Sequence, residues 1–485
     1  MTEKNSYRKI VKATTLFGGV QLVKVFSNII SSKVIAVILG PAGIGLIGLY
    51  NSSLTLITSL TNLGLSTSSV KSIASVSSYG NQELIEKEIS ITHKLFWLSA
   101  ILGTLLTFLF SDKLSVVTFG NNNYSTAFKL LSFSIFFNQL TSGKLAILQG
   151  LQKHKYLANS ILTGTLLGLI ISIPIYYFFK FNGIVPVIII TSVINYFRGW
   201  LFVKKTNVHI KKYSFTETLR YGNEVLKIGL IISLSGIITN LAAYVTKVYV
   251  TQYGSLEKVG LYNAGFTLIN GYLSLVLTAM ATDYFPRLAA QKNNHDLKSI
   301  VNQQAELLIL LITPILVSIF LLDNFLVKIL YSNNFIEIKP MVYWLTFGML
   351  FRTVSWTLSF TFVARGNYKT FFWNELIANV YFVILNLFLY HYFDLIGLGI
   401  SFLIGYLLYM VQMQFLAKKL YNFSFTKEFS YLFYSSILII LPSFVLTFFF
   451  TSLKNFLLIP FLLISVIFSG YHINKKIDIL DIFKK

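Results

Sequence analysis

Apolar residues run along this chain in stretches of 18 or more, separated by short polar connections, nearly from end to end. As a helix, each stretch is long enough to cross a hydrocarbon core of ~30 Å. The pattern predicts fourteen spans, near 14–38, 45–69, 92–110, 127–150, 157–179, 184–203, 226–252, 259–283, 304–322, 341–363, 371–390, 396–417, 430–450 and 455–472. Residues 1–12 lead straight into the first span without a small-residue cleavage site, so no cleavable leader is read there.

Charge gives these spans an orientation. Of the 40 Lys and Arg, 27 fall in the N-terminal segment, the C-terminal tail and the loops near 71–94, 151–156, 204–227, 285–303, 364–370 and 418–428. The opposite side holds 7, and 6 lie inside the spans. The positive-inside rule then puts both termini in the cytoplasm. That distribution accounts for most of the net charge of +22 and leaves no need for a nucleic-acid partner. Charged residues make up 12% of the 485, about half the share in soluble domains (~25%), which fits a multi-pass membrane protein. There is no cysteine, which excludes disulfides, thiolate metal sites and thiol nucleophiles.

The two halves echo each other at an offset of about 215. Gly45-Leu46-Ile47 opens the second span as Gly260-Leu261-Tyr262 opens the eighth. Gln149-Gly150-Leu151-Gln152-Lys153 closes the fourth as Arg365-Gly366-Asn367-Tyr368-Lys369 closes the tenth. Asn182-Gly183-Ile184 recurs as Leu398-Gly399-Ile400. The expected fold is an all-α polytopic membrane protein. It has a six-helix lobe at 1–203, a cytoplasmic linker at 204–225, a second six-helix lobe at 226–418, and two extra helices with a cytoplasmic tail at 419–485. An even number of spans per repeat keeps both repeats in one orientation. Transporters built that way bind substrate between the lobes and alternate access by rocking.

The six intramembrane cations are Lys24, Lys33, Lys144, Arg198, Lys247 and Arg352, with no acidic residue at comparable depth. A bare charge at mid-bilayer costs about 3 kcal/mol on insertion scales, so such residues face a cavity or a ligand. At 100° per residue, Thr14, Gly18, Gln21, Lys24, Asn28, Ser31 and Ser32 form one polar stripe on the first span. Lys24, within that stripe, is expected to line a cavity. Lys33 points the other way on an ideal helix and has two readings, cavity or snorkelling to the outer interface. Lys247 shares a stripe with Gly229, Ser233, Gly236, Asn240 and Thr251, and Arg352 sits mid-span beside Gly348, Ser355 and Ser359. Lys144 and Arg198 lie about six residues, or ~9 Å, from cytoplasmic helix ends, within snorkelling reach.

Leu39-Gly40-Pro41-Ala42-Gly43-Ile44-Gly45-Leu46, following the first span, resembles the opening of Wzx-type polysaccharide (O-antigen) flippases. These belong to the multidrug/oligosaccharidyl-lipid/polysaccharide transporter superfamily. Lys24, Lys33, Lys247 and Tyr284-Phe285-Pro286-Arg287-Leu288 fit the same pattern, and the resemblance covers both lobes. It implies two bundles around a central cavity in the bacterial inner membrane. It also implies a cargo, an undecaprenyl-diphosphate-linked oligosaccharide moved from the cytoplasmic to the periplasmic leaflet. Membrane lipids and polysaccharide assembly proteins are the expected partners, with no cofactor and no metal. Under this reading Lys24, Lys247, Arg352 and Lys33 bind the diphosphate, because cations must replace its hydration and the fork of Arg352 suits paired phosphate oxygens. Gln21, Asn28, Asn240, Lys144 and Arg198 are further cavity candidates.

A flippase for the lipid-linked peptidoglycan precursor shares this cationic design and is the alternative. A drug or cation antiporter calls for carboxylates within the spans, which are lacking here. A membrane glycan polymerase needs a sizeable outer loop, and the longest, 322–340, has about 19 residues. The six histidines are scattered without H-E-x-x-H spacing, and no Walker-A loop is present. Asp283, Asp323, Glu337 and Glu375 sit near helix ends and read as solvated interfacial carboxylates. Proton, sodium and membrane potential all stay open as driving forces.

Overall fold

The structure, a computed structural model, describes residues 3–211, 213–291, 293–450 and 454–477. Among these there are seventeen α-helices and no strand. In a medium without water, helices satisfy their own backbone groups, which is why apolar runs of this length take that form. Two compact units divide the chain, Met1–Val259 and Gly260–Lys485.

The first unit contains α1 (Glu3–Ile38), α2 (Gly40–Asn62), α3 (Leu65–Ser78), α4 (Gln82–Leu109), α5 (Ser111–Phe119), α6 (Ser125–Gly150), α7 (His154–Phe179), α8 (Ile184–Lys204) and α9 (Phe215–Tyr253). The boundary falls in α10 (Leu256–Phe266). The second unit continues with a π-helical turn (Thr267–Gly271), α11 (Tyr272–Ala289), α12 (Asn294–Leu321), α13 (Asp323–Leu330), α14 (Lys339–Ala364), α15 (Tyr368–Tyr421), α16 (Lys427–Phe449) and α17 (Lys454–Ile477). The expected lobe division at 204–225 followed the repeat. The packed unit runs further because α9 lies against α2, α3 and α4.

Nine helical segments among the described residues are long and apolar enough to cross a membrane. Two of them, His154–Lys204 and Tyr368–Tyr421, have 51 and 54 residues, each enough for a hairpin of two crossings. Neither α6 nor α14 is among the nine, although each has 26 residues. They carry Lys144 and Arg352 among many hydroxyl and amide side chains, so their apolar signal is diluted by polar content.

The internal repeat is visible in the backbone, with a register that differs from the predicted pairing. Helices α4 and α12 each have 28 residues and end on Phe110 and Leu322, both at φ −97° and ψ 14°. The α6 and α14 ends carry matching bonds: Lys153 N to Leu148 O and Asn367 N to Phe362 O, both 2.9 Å. Lys180 (φ 47°, ψ −126°) and Asp394 (φ 51°, ψ −139°) make the same break between hairpin arms. Gly183 therefore matches Gly397, not Gly399, and Gln152 matches Gly366. Glycine at 397 is a steric requirement, since a Cβ there would lie 1.9 Å from the Leu389 carbonyl oxygen.

The predicted second span at 45–69 is also corrected. It breaks at Leu63 and Gly64, both left-handed (φ 46° and 72°), and α3 then runs on to Ser78. Gln139 anchors the break by accepting from Asn62 Nδ2 (2.7 Å) and donating to Thr61 Oγ1 (2.9 Å). Gly64 meets the Gly229 backbone of α9 so closely that a Cβ would sit 2.0 Å from its oxygen. The short helices α5 and α13, which follow α4 and α12, were not anticipated, because eight or nine residues give too little periodic signal.

Candidate functional site

Each predicted cation has a definite place. In the first unit Lys24 is exposed on α1, as are Gln21 and Asn28 on the same helix. The side chain of Thr14, from the predicted stripe, lies outside those described. Lys33 and Asn240 are half-buried. On α9, Lys247 donates from Nζ to Ser52 Oγ of α2 (2.6 Å), and one turn earlier Tyr244 shares a 2.7 Å hydrogen bond with Thr118 of α5.

Lys144 and Arg198 do not run out to the cytoplasmic interface as their positions suggested. Lys144 is 3% exposed, its stem lying where a Cβ on Gly199 of α8 would come within 3.0 Å. Arg198 turns inward across α7, where Nε donates to Thr163 Oγ1 (2.8 Å) and the guanidinium lies 5.2 Å from the Phe202 ring centre.

In the second unit Arg352 projects from α14 toward the π-helical turn. One nitrogen donates to Asn270 Oδ1 and to Ser274 Oγ (3.0 Å), and the guanidinium stands 5.6 Å from the Tyr406 ring centre. The extra residue of a π turn rotates the side chains that follow it, and such turns recur at functional sites. Here the turn brings Asn270 to Arg352. None of Lys24, Lys144, Arg198, Lys247 or Arg352 pairs with a carboxylate among the described residues. Lys247, Arg198 and Arg352 are held by neutral hydroxyl, amide or aromatic partners, which leave a positive charge there uncompensated by an acid.

The carboxylates divide. Asp283 is exposed and paired with Arg287 (3.0 Å), as a solvated group should be, and Glu337 is exposed. Glu375 is half-buried and accepts from Tyr409 OH. Asp323, expected in solvent, is 2% exposed and bound by Lys454 (2.5 Å), Lys339 (3.0 Å) and Tyr343 OH. Its partners come from α14 and α17, far along the chain, so local sequence could not reveal them.

A pocket of about 170 Å³ opens within the first unit, between α1, α7 and α8. Asn28 and Ser31 supply one wall, Thr165 another, and Thr191 with Asn195 the third. Gly164 and Gly168 of α7 leave the space, since a Cβ at Gly164 would lie 2.4 Å from Asn195 Oδ1. Sequence reasoning placed Asn28 near a cavity but missed α7 and α8. The available signal was the four-residue spacing of Gly164, Gly168 and Ser172, which marks one small-residue face.

Residues 34–340 match the family model described as "Polysaccharide biosynthesis protein". The lipid III flippases of Escherichia coli (strain K12) and Shigella flexneri are each 19% identical over 363 residues, covering 74% of this chain and 86% of theirs. Among solved structures, the lipid II flippase MurJ in an inward closed conformation superposes with a TM-score of 0.73 at 14% identity, covering 96% of this chain and 99% of that one. An inward-facing MATE multidrug resistance transporter of the MOP superfamily gives 0.69 at 15% identity, covering 83% and 94%. At these identities the structures show a shared fold.

Proposed function

Because the chain belongs to the polysaccharide biosynthesis protein family, we propose that it is a flippase for a lipid-linked oligosaccharide precursor. Its cargo in this reading is an undecaprenyl-diphosphate-linked repeat unit of O-antigen or a related surface polysaccharide, carried to the periplasmic leaflet of the inner membrane. The observation that carries the proposal is that Lys24, Lys144, Arg198, Lys247 and Arg352 have no carboxylate partner among the described residues, above all Arg352 and Lys247. Membrane-embedded carboxylates would suit a cation cargo, whereas these residues suit phosphate. Lys24, Lys247 and Arg352 replace the water that the diphosphate loses on entering the membrane, and the polyprenyl chain stays in lipid. A negative cell interior favours outward movement of an anion, so the membrane potential contributes to the drive.

Reconstituted protein in vesicles loaded with undecaprenyl-diphosphate glycan tests this reading directly. The wild type should move the lipid across, and Lys24→Ala and Arg352→Ala should each slow it at least tenfold with normal membrane insertion. Full activity in both variants overturns the diphosphate role. The alternative cargo, a peptidoglycan precursor, is favoured if the gene rescues cells blocked in cell-wall precursor export but not cells blocked in O-antigen export.

A further inference from the structure

We propose that the α1–α7–α8 pocket of the first unit is a subsite for one uncharged sugar residue of the cargo, the residue next to the diphosphate. This rests on the flippase reading and adds to it a place for the glycan.

Three observations point to that occupant. The first is the lining. Asn28 and Asn195 form no hydrogen bond with another described residue, so two amides stand ready with donors and acceptors. Thr191 already donates to the Val187 carbonyl (2.7 Å) and offers only an acceptor. No ionisable carboxylate, amine, guanidinium or imidazole lines the pocket, while the buried Tyr176 supplies ring surface. Paired amides and hydroxyls beside an aromatic ring suit a pyranose, which has hydroxyls at its rim and an apolar C–H face.

Size and depth are the second. At about 170 Å³ the pocket falls below the ~300–1,000 Å³ that encloses drug-sized ligands, leaving room for a single ring. Gly168 is near the middle of α7, roughly 20 Å along the helix from His154, so the site lies deep in the membrane. An uncharged hydroxylated group at that depth needs partners, and these residues provide them. Lys24, Asn28 and Ser31 follow one face of α1 at spacings of four and three. The cation therefore sits one turn, about 6 Å, from the pocket wall. A sugar bonded to a diphosphate held at Lys24 would reach it.

Third, the repeat shows what an unused version looks like. In the second unit Phe382 stands at the position of Gly168, and Gly405 at that of Thr191. Phe382 packs so tightly on Gly405 that a Cβ there would lie 2.2 Å from the ring, and Tyr406 meets that ring edge-on with centres 5.0 Å apart. Rings fill that copy of the space. The first unit keeps it open and polar.

The absence of native cysteine allows a direct test in the full chain. In Thr165→Cys protein, maleimide labelling is timed with undecaprenyl diphosphate and with the same lipid bearing one hexose or one N-acetylhexosamine. A Tyr79→Cys variant, at an exposed position, controls for bulk reactivity. A sugar-bearing lipid should slow Thr165→Cys labelling about tenfold and bind about tenfold tighter than the bare lipid, the scale of a few lost hydrogen bonds. The paired variant Gly168→Phe with Thr191→Gly, which copies the second unit, should keep bare-lipid binding and lose the preference for the sugar. Equal binding, or equal protection, by bare and sugar-bearing lipid in the wild type overturns the subsite alone, as does an intact preference in the paired variant. Failure of the wild type to bind either lipid overturns the flippase reading as well.

Discussion

Helices α4 and α12 are the same element twice, and their differences show how one backbone frame takes two kinds of neighbour. Ser90 of α4 accepts from Lys211 N (2.8 Å), and its counterpart Asn302 of α12 accepts from Thr426 N (2.9 Å). Each thus secures the segment that follows its own six-helix block. One turn on, Lys94 donates to the Tyr213 carbonyl, whereas the matching Glu306 binds Lys476 of α17 (2.6 Å). At the far end, Ser111 is buried with no partner for its hydroxyl, and the matching Asp323 holds Lys339 and Lys454. Two changes to carboxylate, Glu306 within α12 and Asp323 just past its end and about 25 Å away at 1.5 Å per residue, mark where the unrepeated helix α17 is pinned. In lipid, apolar surface alone gives little drive for helix association. The apolar stretch of α17 is only 17% buried, so its charged ends carry much of the specificity. Of the two helices predicted as an appendage, α17 is tied at one end to Glu306 of α12 and at the other to Asp323 at the start of α13.

The largest effect should come from cutting one of these pins. Asp323→Ala strands Lys454 and Lys339 in a buried site, at a cost of about 3–5 kcal/mol. Hydrogen exchange across 454–477 in the full chain should rise sharply, and the charge swap Asp323→Lys with Lys454→Asp should restore part of the protection. Unchanged exchange would show that α17 is held by packing alone. The contribution has a pH signature. Burial alone would raise the Asp323 carboxyl, but hydrogen bonds from Lys454, Tyr343 and Lys339 outweigh it and hold the group below the ordinary range. A depressed folded value means the stabilisation is complete above the unfolded value of ~3.9 and is lost as pH falls through the lower folded one. Asp323→Asn should lack that acid-side loss.

A smaller effect separates the two hairpins. Alanine at Gly397 would bring a Cβ to 1.9 Å from the Leu389 oxygen, whereas at Gly183 the nearest atom, the Ile175 oxygen, is at 2.9 Å. Gly397→Ala should cost about 1–3 kcal/mol, and Gly183→Ala distinctly less. Thermal unfolding of both variants in detergent checks the order, and equal losses would mean the second hairpin relaxes as readily as the first.

Much of this architecture could be read from the chain because membranes impose a simple code: apolar length for helices and glycine for tight turns. The repeat was legible at its turns but slipped by two residues at Gly366 and Gly399. Glycine recurs near a turn without marking its register, which the matching bonds at Lys153 and Asn367 and the strained backbone at Lys180 and Asp394 fix. Lys24 and Arg352 could be chosen by depth. Their surroundings could not, since Asn270 reaches Arg352 through a π turn that no apolar period announces. Lys144 and Arg198 were misjudged for a related reason. Distance from a helix end sets how far a side chain can reach, but the small Gly199 and the hydroxyl of Thr163 decide where it goes.

The weakest expected effect lies at the partner position of the strongest. Ser111 occupies the frame position of Asp323, yet its buried hydroxyl has no hydrogen-bond partner. Removing an unsatisfied polar group relieves a desolvation cost, so Ser111→Ala should be neutral or stabilising by up to about 1 kcal/mol. Ser111→Asp should instead destabilise, because Ser125 stands at the position of Lys339, Lys129 at that of Tyr343 is already paired with Asp112 (3.7 Å), and nothing in the first unit corresponds to Lys454. If thermal unfolding showed Ser111→Asp to be tolerated, the carboxylate at 323 would reflect a helix-end position open to any polar group. A clear loss would mean that the acid is admissible only where α17 supplies its cation.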